Sequence, residues 1–150
     1  MSLTIRFARE DDVPTILQFI IALAKYEKLE DEVVATEDLL KNTLFGSRPQ
    51  AETLLALEDE TPVGFALFFT NYSTFLGRAG IHLEDLFVLE AFRGRGYGKA
   101  LLDKMQTIAK ERDAGRLEWN VLDWNTPAIE FYESMGAKPV LEWTTYRMKF

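Results

Sequence analysis

The sequence predicts a mixed α/β (α+β) domain, with a twisted sheet of about six to seven strands and about four helices on both faces. Three observations predict it. Strand-like and helix-like hydrophobic periods follow one another in the order βααβββαβαββ. The 150 residues, 47% hydrophobic and 13% aromatic, are enough for one well-buried core. A turn rich in glycine and cations, residues 93–99, separates the strand-like Leu86-Phe87-Val88 from a helical stripe. No repeat, low-complexity tract or linker interrupts the chain, so residues 1–150 read as a single domain.

Taken in order, Leu3, Ile5 and Phe7 alternate and predict a first strand over Leu3 to Ala8. Asp11 or Asp12 caps a helix with Pro14 in its first turn and Val13, Ile16, Leu17, Ile20 and Ala24 on its apolar face. The acidic stretch Glu27 to Glu32 predicts a loop or an irregular helical turn. A shorter helix runs from Thr36 through Leu39, Leu40 and Leu44 to Gly46. Ala51–Leu57 and Val63–Tyr72 form a hairpin about the turn Asp59-Glu60-Thr61-Pro62. Ser73 to Gly80 is a loop, and Ile81 to Val88 the next strand, with His82 and Glu84 on one side and Leu83 and Asp85 on the other.

After the glycine turn, Leu101, Leu102, Met105, Ile108 and Ala109 give a helical stripe over Ala100 to Arg112. Arg116 to Leu122 returns as a strand. Thr126 as N-cap and Pro127 at the first helical position start a last helix, which ends at Met135 before Gly136. Val140–Trp143 and Tyr146–Phe150 read as the final extended pieces.

Composition narrows the function. A net charge of −7 argues against nucleic acid or an anionic membrane as the main partner. It makes the cations of residues 93–99 a local feature, while acidic surface elsewhere favours a cationic substrate. Cysteine is absent and His82 is the one histidine, which removes disulfides, thiol nucleophiles and Cys-ligated metals and disfavours His-based metal sites and Ser-His-Asp triads. No metal is expected. No apolar run approaches ~18 residues and no signal-peptide pattern is seen, so the cytoplasm is the default compartment.

The turn Arg93-Gly94-Arg95-Gly96-Tyr97-Gly98-Lys99 suits a polyanion. Glycines let several backbone N–H groups converge, the following helix adds its positive N-terminal end, and the cations add full charges. It is not a Walker loop, because Gly94 and Gly98 enclose three residues and Ala100 follows Lys99. Gly94-x-Gly96-x-Gly98 also departs from the dinucleotide fingerprint. A pyrophosphate is the expected ligand, against the plainer alternative of a glycine turn with surface cations.

The element order, with an Arg-x-x-Gly-x-Gly turn between the central strand and the next helix, resembles the GNAT N-acetyltransferase superfamily. Leu23-Ala24-Lys25-Tyr26-Glu27, Leu83-Glu84-Asp85-Leu86-Phe87-Val88, Arg93 through Gly98, Val121-Leu122-Asp123-Trp124-Asn125, and Phe131-Tyr132 with Gly136-Ala137 resemble its diamine acetyltransferase branch, which includes spermidine/spermine and thialysine acetyltransferases. The Asp-Trp-Asn stretch is closer to the thialysine type. The resemblance implies a GNAT fold that binds acetyl-CoA where central strand, glycine-rich loop and helix meet. It implies a small-molecule amine as partner and a homodimer.

By position, the resemblance implies that backbone groups of Leu86, Phe87 and Val88 pair with the pantetheine arm. Arg93, Gly94, Arg95, Gly96, Tyr97, Gly98 and Lys99 hold the pyrophosphate. Asn125, Thr126, Pro127 and Ala128 touch the cofactor arm, and Tyr132 stands near the thioester sulfur. Glu84 faces the amine, while Tyr26, Glu27, Glu118, Trp119 and Asn120 line the substrate side. Residues around Glu142-Trp143 find no counterpart in the family pattern. A protein Lys or N-terminal acetyltransferase and a non-catalytic acyl-CoA-binding sensor remain as alternatives.

Acetyl transfer to an amine needs a neutral nucleophile, a stabilised oxyanion and a proton for the departing thiolate. A lysine-like amine of reference pKa ~10.4 is neutral in roughly one molecule in a thousand near pH 7.4, a deficit of about 4 kcal/mol. A glutamate of reference pKa ~4.3 is about six units too weak to hold that proton, so Glu84 is expected to act through water. Tyr132, a phenol of reference pKa ~10, is the expected general acid. It shares a helix face with Ala128, Phe131 and Met135, so core packing is its competing role.

Overall fold

The computed structural model describes residues 2–150. It divides into a unit that ends at Trp119 and a second from Asn120 to Phe150. The first unit is built on a five-stranded sheet in the order β1-β2-β3-β4-β5. Its strands are β1 Leu3–Phe7, β2 Glu52–Glu58, β3 Thr61–Ser73, β4 Arg78–Val88 and β5 Leu117–Glu118. The first four are antiparallel to their neighbours, and β5 runs parallel to β4.

Helices α1 (Val13–Tyr26) and α2 (Glu37–Leu44) cover one face. Val13, Ile16, Phe19 and Leu23 of α1 and Leu40 and Leu44 of α2 pack with Leu55, Leu57, Phe65 and Phe87. Phe19 stacks on Phe65 at 5.4 Å between centroids. The helical period of these residues meets the two-residue period of the strands, and burial of such side chains contributes roughly 1.5–3 kcal/mol each. Helix α3, Tyr97–Glu111, buries Leu101, Leu102, Met105 and Ile108. From just beyond its last residue, Arg112 pairs with Glu52 at 2.6 Å and lies over Phe68, which is on the sheet face opposite Phe65.

Helix ends follow local chemistry. Arg6 forks onto Asp12, and Asp12 also accepts from the Arg9 N–H, which fixes the entry to α1. Thr36 accepts from the Leu39 N–H and caps α2. The β2–β3 turn is tighter than the sequence suggests. Asp59 and Glu60, at φ 49° and 81°, form the whole connection, while Thr61 and Pro62 belong to β3. Twisted two-residue hairpins require this left-handed pair.

The β3–β4 connection is likewise shorter than the expected loop. Pairing extends to Ser73↔Arg78, and only residues 74–77 turn. The expected strand over Arg116–Leu122 reduces to Leu117–Glu118, because only Ile81 and His82 pair with it.

In the second unit, α4 spans Thr126–Ser134. Its N-cap is Asn125 rather than Thr126. The buried Asn125 side chain accepts from the Ala128 N–H at 3.4 Å, and Thr126 is already helical. The two expected strands over Val140–Phe150 do not form. These residues adopt no regular structure, and Leu141, Trp143, Tyr146, Met148 and Phe150 are exposed. Alternating apolar residues make a strand only where a neighbour completes the ladder. Among the described residues the sheet therefore has five strands, accompanied by four α-helices. Among the described residues, no helix is long and apolar enough to cross a membrane.

Candidate active site

The site begins at an irregularity in β4. Leu67 pairs with Asp85 and Phe68 with Leu83, so Glu84 has no residue opposite it. This β-bulge reverses the alternation that the sequence implies. Directly opposed residues share a face, which puts His82 (opposite Phe69), Asp85 (opposite Leu67) and Phe87 (opposite Phe65) on the α1 side. Leu83 turns to the other side, where it is buried. The expectation that Asp85 shares a side with Leu83 is thus corrected: the extra residue sends Asp85 under α1 and leaves Glu84 exposed.

Three carboxylates influence one another here. Asp85, only partly exposed, has its pKa pushed up to about 7, first by burial, then by Glu84 and Glu27. Glu27, just past the end of α1, is raised above the ordinary range by burial and by Glu84. Glu84 also lies 3.7 Å from His82 Nε2. Like charges held together in a partly desolvated place favour a proton or another cation among them. Periodicity alone does not bring Asp85 to Glu27 and Glu84, because a bulge leaves no periodic signal.

Tyr26 and Glu27 lie on the same side as this cluster. The Tyr26 ring is 6.3 Å from Phe87, and Arg93 places its guanidinium 4.8 Å from the Tyr26 centroid and 5.2 Å from that of Phe87. Arg93 Nε donates to the Val88 carbonyl at 2.9 Å. Glu118 in β5 pairs with Arg116 at 3.0 Å and stands beside His82 in the ladder. Trp119 follows, half-buried, at the end of the first unit. Asn120 is exposed at the start of the second.

The far half of β4 has an open edge. On one side Leu86, Phe87 and Val88 pair with Ala66, Phe65 and Gly64 of β3. On the other, β5 pairs only with Ile81 and His82, and no described strand follows. Backbone N–H and C=O groups along this edge call for an extended partner. The chain then passes into the glycine turn. Gly94 and Gly96 adopt φ 78° and 81°, and a Cβ at either would meet nothing within 4 Å. Helix α3 starts at Tyr97, a turn earlier than expected, so Gly98 and Lys99 lie in its first turn. Their N–H groups and that of Tyr97 are the donors that a helix start leaves without an intrahelical acceptor. An unpaired strand edge leading into exposed backbone donors is an arrangement that pairs with an extended chain and accepts an anion.

The turn's cations all have partners within the chain. Arg95 binds Glu58 at 2.6 Å, and Lys99 binds Asp103 at 2.9 Å. Tyr97 is buried and donates to Glu58. In the second unit, Asn125 caps α4, Thr126 and Pro127 are exposed in its first turn, and Ala128 is half-buried. Tyr132 is half-buried with its ring 5.5 Å from Phe131. Among the described residues, no group of three or more His, Cys, Asp or Glu is arranged to hold a metal ion.

The chain belongs to the acetyltransferase (GNAT) family, whose model matches residues 17–137 and so spans the bulge, the open edge and the glycine turn. Among relatives, it is 37% identical to the L-ornithine N5-acetyltransferase NATA1 of Arabidopsis thaliana, over 96% of this chain and 83% of that one. It is 35% identical to the thialysine N-epsilon-acetyltransferase of Sus scrofa, over 99% of this chain and 93% of the relative. Its fold superposes on an integron cassette protein from the V. cholerae mobile metagenome with a TM-score of 0.84 and 27% identity, covering 100% of this chain and 94% of the other.

Proposed function

We propose that the protein transfers the acetyl group of acetyl-CoA to a primary amine of a small cationic substrate, of the diamine, polyamine, thialysine or lysine-like class. The observation that carries this reading is the meeting of an open β4 edge, a glycine turn whose Gly94 and Gly96 have no neighbouring side chain over them, and an acidic cluster. The relatives that act on ornithine and thialysine support the choice of amine. The reading takes residues 1–150 as one catalytic domain, working as a homodimer in the cytoplasm.

Acetyl-CoA supplies the activated acyl group. Leu86, Phe87 and Val88 offer the backbone groups that hold its amide arm, and the Gly94–Lys99 N–H groups receive its diphosphate. A backbone N–H of the same β4 segment is the donor to the developing oxyanion. In this reading Asn125 and the Thr126-Pro127-Ala128 turn touch the cofactor arm, and Tyr132 donates its phenolic proton to the departing sulfur.

The amine side is set by charge. Glu27, Glu84 and Asp85 attract an ammonium, and Tyr26, Glu118, Trp119 and Asn120 frame the space it enters. Glu84, exposed at the bulge, passes the ammonium proton to water. Asp85 is the better matched acceptor at neutral pH. Its pKa of about 7 lies some three units below the amine rather than six, so about 4 kcal/mol of mismatch disappears. Metal has no part in this scheme.

Titration calorimetry of the purified protein with coenzyme A tests the reading. Association at micromolar concentration, unaffected by chelator, is expected. A protein that shows no heat of association and no protection of the residues 94–99 amides does not work this way.

A further inference from the structure

Beneath the glycine turn lies a side-chain contact that neither acetyl transfer nor amine recognition uses. Glu58 closes β2 and is 8% exposed, the one charged side chain among the described buried residues. Its Oε1 atom accepts from Arg95 Nη1 and from the Tyr97 hydroxyl. Both donors belong to the turn and lie 37 and 39 residues further along the chain. Glu58 is itself held in the ladder, opposite Leu3 on one side and Thr61 on the other. The hydrogen bond from Tyr97 is the first reason its carboxyl lies below the usual range, followed by Arg95, so the group is a carboxylate at neutral pH.

The turn has need of such an anchor. Arg95 sits between two glycines in the left-handed region, the backbone with the most freedom to lose on ordering. Tyr97 opens α3, where the donors for an anion are displayed. An arginine engaged by a buried carboxylate is not a free charge for a diphosphate. A carboxylate under an anion-binding turn also opposes the anion by simple Coulomb repulsion. Its benefit must lie in order rather than in charge.

We propose that Glu58 is a positioning residue for the coenzyme. Through Arg95 and Tyr97 it fixes the 94–99 backbone in its receiving shape before any ligand arrives, and Arg95 is a strut rather than a phosphate ligand. This rests on the reading of the turn as the diphosphate site. Preorganisation of this kind lowers the cost of binding without adding a contact to the ligand. It also reverses the assignment of Arg95 that the sequence alone suggests.

The sign of one substitution separates the two roles. Glu58→Gln, Arg95→Met and the double variant are compared with the wild type by coenzyme A calorimetry and by steady-state kinetics. A strut predicts that each single variant weakens coenzyme binding and raises the acetyl-CoA KM about tenfold, the scale of a hydrogen bond to a charged group. The amine KM and kcat should stay within about twofold, and the double variant should bind no worse than the singles, as members of one network do. In the coenzyme-free protein, amide hydrogen exchange at Gly94, Gly96 and Gly98 should accelerate in both singles. Tyr97→Phe, which keeps the ring and removes one tie, should accelerate it too and serves if Glu58→Gln does not fold. Glu58→Gln binding as tightly as wild type or tighter, with Arg95→Met weakened, makes Arg95 a phosphate ligand and overturns the proposal. So does unchanged exchange. A wild type that ignores coenzyme A overturns the functional reading instead, and the exchange experiment still decides the role of Glu58.

Discussion

Replacing Asp85 by Asn changes one atom and should change both stability and activity in a pH-dependent way. Burial, Glu84 and Glu27 push the Asp85 pKa up to about 7, whereas an unfolded aspartate titrates near 3.9. Between about pH 4 and 7 the folded chain therefore keeps a proton that the unfolded chain has released. Stability must fall as pH rises through that window. Three units at ~1.36 kcal/mol each set a ceiling of about 4 kcal/mol. Compaction of the unfolded chain reduces what is observed. Asn keeps the shape and cannot ionise, so the variant should match the wild type near pH 4 and exceed it at pH 7.5. A gain of 1–4 kcal/mol corresponds to several degrees in Tm, at ~2–4 °C per kcal/mol for a chain of this size. The assay is thermal unfolding of both proteins from pH 4 to 8. The same variant should lose at least ~10-fold in kcat/KM for the amine, since it removes a charge and a proton acceptor from the site. Parallel Tm curves, separated equally at every pH, would refute the reasoning, because they would place the Asp85 titration outside this window.

Two further substitutions probe the coenzyme side. Tyr132→Phe should leave coenzyme affinity intact and lower kcat by ~10²-fold, within the usual range for a lost acid; undiminished turnover in a folded variant removes the phenol from the mechanism. Gly96→Ala forces a Cβ onto a backbone at φ 81° with open space around it. Strain alone should then cost ~1–2 kcal/mol, read as a lower Tm, and coenzyme binding should weaken because the methyl occupies the receiving surface.

Most of the sheet and its helices were legible because periodicity reports burial. The apolar stripes of α1 and α3 each matched a buried face, whereas the alternation of β1 predicted the strand although its apolar residues are only partly covered and Phe7 is exposed. Features that depend on a partner elsewhere were not. The bulge at Glu84 exists only in the pairing of β4 with β3, and without it the sequence places Asp85 on the wrong side. Val140 to Phe150 carries a strand's alternation without a ladder, and Arg116 to Leu122 pairs over two residues only. The Asn125 cap differs from the expected one by a single residue, a distance at which two adjacent capping side chains compete. Arg95 and Lys99 read as free cations because nothing local announces Glu58, and Asp103 reads as ordinary helix surface. Tyr26, Glu27 and Glu84 are residues that only the resemblance singles out; in the structure Tyr26 lies against Phe87, and Glu27 and Glu84 influence one another.

The most direct test is thiol release from acetyl-CoA by the wild-type protein against thialysine, ornithine, lysine, spermidine and a weakly basic aromatic amine such as aniline, which is uncharged in this range, from pH 6 to 9. Rapid release with one or more cationic amines, rising through pH 7 and weak with the neutral one, is predicted. Equal rates with and without amine, or a preference for the neutral compound, would contradict the central claim that the Glu27–Glu84–Asp85 cluster brings an ammonium to an acyl thioester.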